Sequence, residues 1–234
     1  MLREAAMFIS DRVLALASDA MLTRAARGDM WSRLAHLRDA GFAPKQILDI
    51  GAYEGKWTTR CATLFPQAHF LMLEAQDAKA AVLGEVGNRM DGRASYKIGV
   101  LSAEAGTEVT FFEMETGSSY LEELTDAPRR PVRKVTTTLD DVLRDTGIGP
   151  VDFMKLDVQG AELDVLRGGL EALRSAQYVL MEVAISDYNR GAPNAGEVIS
   201  FMTGHGFAIR DIADVKRRGR GGPVNQMDIL FARS

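Results

Sequence analysis

The stretch VDFMKLDVQGAELDVLRGG (Val151–Gly169) begins as an apolar strand and carries charge where a core strand normally has none. Gly160 marks a turn, and apolar residues after it recur at helical spacing. Lys155 and Asp157 lie near the end of the apolar run, and burying charge is costly unless the charge is paired. The stretch therefore predicts a strand–turn–helix unit with two charged side chains at the carboxyl end of the strand.

Strands and helices alternate along the chain from residue 46 onwards. The predicted strands are QILDIG (46–51), HFLMLEA (69–75), SYKIGVL (95–101), VDFMKLD (151–157), QYVLMEVAI (177–185), FAIRDI (207–212) and NQMDILFAR (225–233), with GTEVTFFEM (106–114) as an extra one. The predicted helices cover residues 54–65, 77–84, 136–147, 161–176 and 195–206. This alternation is typical of a mostly parallel α/β sheet covered by helices on both faces. We predict one such domain over residues 45–234 and an N-terminal helical extension over residues 1–44.

The composition excludes several classes of protein. The chain has 234 residues, of which 46% are hydrophobic, and it can bury a full core. A net charge of -4 gives no reason to expect sequence-general nucleic-acid binding, and the single cysteine excludes an intrachain disulfide and a multi-cysteine zinc site. No apolar run approaches the roughly 20 residues of a membrane span, and charged residues interrupt the first 20. We expect a cytoplasmic enzyme that does not span a membrane.

The N-terminal extension carries an apolar stripe formed by Met7, Phe8, Val13 and Leu14. Such a stripe needs a partner surface, either on the sheet domain or on a second subunit. A homodimer through these helices is therefore one of two expected arrangements.

The turn after the first predicted strand, LDIGAYEG (48–55), is a candidate cofactor loop. It supplies Asp49, Gly51, Ala52, Tyr53 and Gly55. Nicotinamide cofactors usually require G-x-G-x-x-G, because their pyrophosphate lies against backbone N–H groups at the helix start. Tyr53 stands in place of the middle glycine. A cofactor with an amino-acid group and no phosphate fits better, with Asp49 near its ammonium group and Gly51 allowing a close approach of the backbone.

Glu74 ends the second predicted strand, where an acid commonly accepts hydrogen bonds from both ribose hydroxyls. Together with the first turn it indicates S-adenosylmethionine. The predicted cofactor contacts also include Ala75, Val100, Ser118 and Asp157. The alternatives are a nicotinamide-dependent oxidoreductase, which the missing glycine disfavours, and a non-catalytic cofactor-binding module.

Three segments resemble the signatures of a known family: ILDIGAYEGKWT (47–58), TTTLDDVL (136–143) and MKLDVQGAELDVLRGG (154–169). They resemble those of the FkbM-type methyltransferases, which use S-adenosylmethionine and mostly methylate hydroxyls. Tyr53 departs from the family's usual asparagine, and LEAQ (73–76) replaces a commoner Glu-Pro pair. The resemblance implies a Rossmann-like class I methyltransferase fold with a mostly parallel seven-stranded sheet. It also implies methyl transfer to a hydroxyl and leaves the acceptor open, and our leading hypothesis is a hydroxyl of a sugar, a glycan or a secondary metabolite.

The strand-end charges are the candidates for catalysis. An alcohol is a poor nucleophile at neutral pH, so a base that accepts its proton speeds the transfer. The three histidines lie in the N-terminal helix or at strand starts, at the wrong edge of the sheet. We predict that Asp157 accepts the proton of the hydroxyl that is methylated, and that Lys155 tunes the reactivity of the Asp157 carboxylate. The alternatives are a purely structural ion pair, and Lys155 as the base with a pKa lowered by burial.

The acceptor, a small molecule or a glycan, is expected to contact residues that follow the fourth and fifth strands. These residues are Gln159, Glu182, Tyr188, Asn189 and Arg190. Asp157 and Glu182 end neighbouring strands, and two carboxylates could bind Mg²⁺ and lower the acceptor's pKa. No third ligand is evident in the sequence, so no metal site is predicted.

Overall fold

The computed structural model describes residues 29–114, 117–122, 124, 128–186, 189–219 and 221–234. The predicted apolar stripe (Met7, Phe8, Val13 and Leu14) lies outside the described residues, and so does Tyr188. The predicted homodimer therefore stays a prediction.

A seven-stranded sheet forms the centre of the described structure. Its strands lie in the order β3 (Ala94–Ile98), β2 (His69–Glu74), β1 (Gln46–Ile50), β7 (Phe153–Leu156), β8 (Tyr178–Ala184), β10 (Val224–Arg233) and β9 (Phe207–Arg217). Adjacent strands from β3 to β8 pair in parallel, whereas β10 is antiparallel to both of its neighbours. The prediction of a mostly parallel seven-stranded sheet is confirmed.

Helices cover both faces of this sheet. They are α1 (Met30–Asp39), α2 (Lys56–Leu64), α3 (Ala80–Arg89), α4 (Leu139–Thr146), α5 (Glu162–Arg167), α6 (Leu170–Ser175) and α7 (Ala195–Gly204). Successive residues of a strand face opposite sides, so β1 contributes to two cores. Leu48 and Ile50 pack with α4 to α7, and Ile47 packs with α1 to α3. Both faces of the central strands are therefore buried, which explains their continuous apolar runs.

A second, three-stranded sheet was not predicted as such. It consists of β4 (Val100–Leu101), β6 (Arg130–Thr137) and β5 (Glu108–Glu113), in that order. The predicted third strand is thus divided at Gly99 between the two sheets. The strand β6 was not predicted: its first two residues end a long predicted loop over residues 114–131, and its last two lie in the predicted helix 136–147. Its residues RPVRKVTT include a proline and three cations, which disfavour the assignment of a strand.

The predicted helix over residues 161–176 is two helices, α5 and α6, separated by Gly168 and Gly169. A Cβ at Gly168 would lie 2.2 Å from the backbone oxygen of Ser102, so the chain passes too close for any side chain. The break therefore lies where the chain after α5 passes the Ser102 backbone.

The helix α1 packs against the sheet domain. Leu34 and Leu37 are buried in the same core as Ile47, and Arg33 forms an ion pair with Asp211 of β9 at 3.2 Å. The domain boundary near residue 44 stays a prediction. In the part of the chain that the structure describes, no helix is long and apolar enough to cross a membrane.

Candidate active site

A cavity of about 250 Å³ lies at the carboxyl ends of β1, β2 and β7. The chain leaves β1 towards β2 and β3 on one side and returns to β7 on the other, so the order of the strands reverses between β1 and β7. Ligands of open α/β sheets bind at such a point. Seven of the predicted cofactor residues line the cavity: Gly51, Tyr53, Glu74, Ala75, Val100, Ser118 and Asp157.

Gly51 forms the floor of the cavity where three strands meet. Its φ is +79°, and a Cβ at this position would lie 1.9 Å from the backbone oxygen of Asp157. The N–H groups of Gly51 and Ala52 both donate to the backbone oxygen of Leu73, at 2.9 and 3.0 Å. The turn after β1 is therefore fastened to the ends of both β2 and β7, and only glycine fits there.

Glu74 is buried at the end of β2, with its carboxylate held by backbone donors. Its Oε2 accepts a hydrogen bond from the N–H of Tyr53 at 2.8 Å. Its Oε1 accepts from the N–H groups of Ala75 and Gln76, at 2.8 and 2.9 Å. A carboxylate has about four acceptor positions, so three donors fix its orientation and leave capacity for a ligand. The side chain is thus oriented before any ligand arrives.

Three predicted cofactor residues do not line the cavity. Asp49 is 0% exposed and accepts a hydrogen bond from the Thr58 hydroxyl at 2.7 Å, so the structure places it in the core, and its predicted contact with an ammonium group stays a prediction. Asp49 points into the core beneath α2, whereas the cavity opens beyond the end of the strand. Ala52 is buried in the same core. A Cβ at Gly55, which has a φ of +68°, would crowd buried side chains 3.0 to 3.3 Å away, so Gly55 serves packing.

Lys155 is a buried cation that contacts groups at the ends of both β1 and β7. Its Nζ donates to the backbone oxygen of Gly51 at 3.0 Å and lies 3.3 Å from Asp49 Oδ1 and 3.6 Å from Asp157 Oδ2. Burial alone lowers the pKa of Lys155, but the charges of Asp49 and Asp157 outweigh burial and raise the pKa above its ordinary value. This direction does not favour the alternative in which Lys155 is a base with a lowered pKa, and the role of Lys155 stays a prediction.

Asp157 lies at the rim of the cavity, with its side chain 36% exposed. Its Oδ1 accepts a hydrogen bond from Gln159 Nε2 at 2.7 Å, and the same amide nitrogen donates to Glu182 Oε1 at 3.1 Å. Gln159 has a φ of +56°, a left-handed conformation that costs energy for a residue with a side chain. The amide of Gln159 thus bridges the two predicted carboxylates from the ends of β7 and β8.

A smaller cavity of about 10 Å³ adjoins the first at Gln159, with Glu182 and Asn189 in its wall. Glu182 also accepts from Gln226 Nε2 at 2.7 Å and pairs closely with Lys216. Burial, and then the charge of Asp157, raise the pKa of Glu182. The Nδ2 of Asn189 donates to the backbone oxygen of Gln159, whereas its buried Oδ1 has no hydrogen-bond partner among the described residues. This cavity has room for one group the size of a water molecule.

Among the described acceptor residues that were predicted, Arg190 lines neither cavity. Arg190 is exposed, and its Nε lies 3.5 Å from Glu122 Oε2, so the pair joins two surface segments. The backbone N–H of Arg190 donates to the backbone oxygen of Glu122 at 2.8 Å. Tyr188 lies outside the described residues.

Sequence reasoning missed Phe111 and Tyr120, which line the larger cavity. Phe111 lies on β5 and Tyr120 in the segment that follows β5, and the aromatic content of the predicted extra strand was the available signal for Phe111. The hydroxyl of Tyr120 donates to Asp164 Oδ2 of α5 at 2.7 Å. This contact joins the wall of the cavity to the helix that follows Asp157.

Glu162 was also not among the predicted site residues, although it lines the smaller cavity. Its Oε1 accepts from the N–H groups of Val158 and Gly160, at 3.0 and 3.2 Å. Burial raises the pKa of Glu162 to about 7. Glu162 therefore holds the turn that positions Gln159. Within the described ranges, no group of three or more His, Cys, Asp or Glu side chains is arranged to hold a metal ion.

Comparison with known proteins agrees with this geometry. The curated relative 2-O-methyltransferase NoeI of Sinorhizobium fredii (strain NBRC 101917 / NGR234) is 25% identical over 162 residues, which are 62% of this chain and 65% of that protein. The match therefore spans less than two thirds of the relative's length.

The crystal structure of methyltransferase FkbM from Methylobacillus flagellatus KT superposes with a TM-score of 0.50 at 12% identity. The superposition covers 81% of this chain and 43% of that one, and it concerns the fold alone. The expected Rossmann-like class I methyltransferase fold is thereby confirmed. The sequence profile of the family described as Methyltransferase FkbM domain matches residues 49–209, a range that contains Gly51, Glu74, Asp157 and Glu182. The chain therefore belongs to the FkbM methyltransferase family.

Proposed function

We propose that the protein transfers a methyl group from S-adenosylmethionine to a hydroxyl of a sugar, a glycan or a secondary metabolite. The observation that carries this proposal is the buried Glu74 carboxylate, which three backbone N–H groups orient beside the strand-reversal cavity. The name of the relative NoeI, a 2-O-methyltransferase, supports oxygen as the acceptor atom.

The residues of the larger cavity suit the cofactor. Glu74 would accept hydrogen bonds from ribose hydroxyls, and the apolar side chains of Leu73, Val100 and Phe111 offer a surface for the adenine. Gly51 leaves the floor free of any side chain, so a ligand approaches the backbone closely. When bound, S-adenosylmethionine supplies a methyl group on a positively charged sulfur.

Asp157 and its neighbours would bind the acceptor and take up the proton of its hydroxyl. Gln159 lines both cavities. Asp157 lies beside it at the rim of the larger cavity, where a hydroxyl can reach the carboxylate. Lys155 and the Gln159 amide hold the two oxygens of Asp157 in place, so the carboxylate needs no reorientation to accept a proton. The buried Asn189 Oδ1 offers a hydrogen-bond acceptor for a donor on the substrate, as a hydroxylated molecule would provide. We infer that the acceptor carries a further hydrogen-bond donor, such as a second hydroxyl, that Asn189 Oδ1 would bind.

The proposal is tested first by binding and then by turnover. We expect S-adenosylhomocysteine to bind in calorimetry and to raise the unfolding temperature, and we expect NADH to do neither, because the loop lacks the glycine that a pyrophosphate needs. Labelled S-adenosylmethionine should then transfer its methyl group to members of a panel of methyl glycosides, with an acid-stable ether as the product. Binding of NADH in place of S-adenosylhomocysteine would instead indicate the oxidoreductase.

Glu74→Ala should weaken the binding of S-adenosylhomocysteine by about 2 kcal/mol, or roughly thirtyfold. The substitution removes the proposed ribose acceptor and leaves the N–H groups of Tyr53, Ala75 and Gln76 without their partner. Calorimetry measures the change. Glu85→Ala, which removes an exposed carboxylate of α3, is the matched control and should bind normally. Unchanged affinity in the Glu74 variant would remove Glu74 from the cofactor site.

A further inference from the structure

The long side chain of Lys134, on β6 of the second sheet, contacts the turn that follows β2. Its Nζ donates to the backbone oxygen of Ala75 at 2.7 Å and lies 2.9 Å from Asp77 Oδ2. The ammonium group also lies 6.0 Å from the centre of the Phe111 ring, which is in the cavity wall. Lys134 therefore reaches from the second sheet to the edge of the proposed cofactor site.

Lys134 is unusually buried for a lysine on a partly exposed strand. Its side chain is 12% exposed, whereas that of the preceding Arg133 is 73% exposed and pairs with Glu108 on the surface. Ordering and desolvating a lysine side chain costs free energy, which its contacts must offset. Its partner Asp77 is 79% exposed, so that ion pair is screened and contributes little. The hydrogen bond to the Ala75 oxygen is the contact that distinguishes this lysine.

The turn that Lys134 contacts is the one that holds Glu74. The N–H groups of Ala75 and Gln76 donate inwards to the Glu74 carboxylate, while the Ala75 carbonyl points outwards to Lys134. The Ala75 C=O and the Gln76 N–H belong to one trans peptide group and point in opposite directions, so hydrogen bonds at both ends fix the rotation of that peptide group. Without Lys134, the outward carbonyl loses its charged donor, and the turn gains freedom to rotate its N–H groups away from Glu74.

We propose that Lys134 is a positioning residue for the cofactor, acting through the Ala75 carbonyl to hold Glu74 in its binding orientation. The second sheet then serves as a clamp on the cofactor site. This inference rests on the proposed function, because it assigns S-adenosylmethionine to the larger cavity. It goes beyond that function by giving a role to a strand that contributes no charged group to the cavity wall.

The test measures binding of S-adenosylhomocysteine by calorimetry, with the unfolding temperature followed in parallel. Lys134→Met keeps the length and apolar character of the chain and should weaken binding by about tenfold or more, the worth of one charged hydrogen bond. Lys134→Arg should restore most of the affinity, since arginine also donates to a carbonyl. Arg133→Met, from the exposed face of the same strand, should bind like the wild type.

A double variant separates positioning from general stability. If Lys134 acts through Glu74, Lys134→Met should cost little affinity in a Glu74→Ala background, although its effect on the unfolding temperature remains. Should the methionine variant not fold, Lys134→Gln, which is too short to reach the Ala75 oxygen, carries the same expectation. Wild-type affinity in Lys134→Met, or a full additional loss in the double variant, overturns the inference. Failure of the wild-type protein to bind S-adenosylhomocysteine would overturn the proposed function itself.

Discussion

Gly51→Ala is expected to reduce S-adenosylhomocysteine binding by at least about a hundredfold. The new Cβ would lie 1.9 Å from the backbone oxygen of Asp157 and 2.8 Å from its carbonyl carbon, so the end of β7 or the turn after β1 has to move. The left-handed conformation and the overlap together cost roughly 3 kcal/mol or more. Because Gly51 also fastens the end of β2, the displacement affects the elements that carry Glu74 and Asp157. Calorimetry and thermal unfolding measure both consequences.

Gly41→Ala is the control for that substitution. Gly41 has a φ of +95° but nothing among the described residues lies within 4 Å of its added Cβ. It therefore reproduces the backbone strain without the overlap, and should cost about 1 kcal/mol of stability while leaving binding unchanged. Equal losses in the two variants would mean that strain, and not the approach of Asp157, explains the requirement for glycine at position 51.

Asp157→Asn is expected to lower turnover by about a hundredfold, the usual contribution of a general base. The amide keeps the shape of the side chain, and its oxygen can still accept from Gln159, but it takes up no proton. Affinity for S-adenosylhomocysteine should change little, because the carboxylate lies at the rim of the cavity. The measurement is single-turnover methyl transfer at saturating cofactor, with a methyl glycoside that the panel identifies as an acceptor.

Asp214→Asn provides the matched comparison, since Asp214 is an exposed acid of β9 that lies opposite Asp228 at the same edge of the sheet. It should leave turnover unchanged. Normal turnover in Asp157→Asn would make Asp157 a structural charge and leave the positioning of the acceptor as the source of the acceleration.

Much of the fold was predictable because the strands of a parallel sheet are buried on both faces. The apolar runs that precede Gly51, Glu74 and Asp157 indicate strand ends, and strand ends of one sheet share an edge. The same reasoning predicted that Gln159 and Glu182 lie at this edge of the sheet. Local sequence patterns were sufficient to predict a strand wherever its surroundings in the fold required only apolar side chains.

The sequence was insufficient where a contact between distant parts of the chain decides the local structure. Asp49 follows the same apolar run as Gly51, and only the position of Thr58 on α2 shows that its carboxylate turns into the core. The strand β6 carries charged residues of the kind that are common in loops. One of them, Lys134, has its hydrogen-bond partner, the Ala75 carbonyl, 59 residues away in the sequence. The raised pKa of Lys155 likewise depends on two carboxylates that a sequence does not place.

The bond from Lys155 to the Gly51 carbonyl, which joins residues 104 positions apart, has a consequence for how the protein folds. The cavity floor exists only after β1 and β7 have paired, and closing a loop of that length is a slow, entropically costly event. A chain in which β1 and β7 have not paired therefore lacks the complete cavity, although the contacts that orient Glu74 involve only the turns after β1 and β2. A ligand that needs the complete cavity binds the folded domain, and it stabilises that domain by mass action in proportion to the logarithm of its concentration.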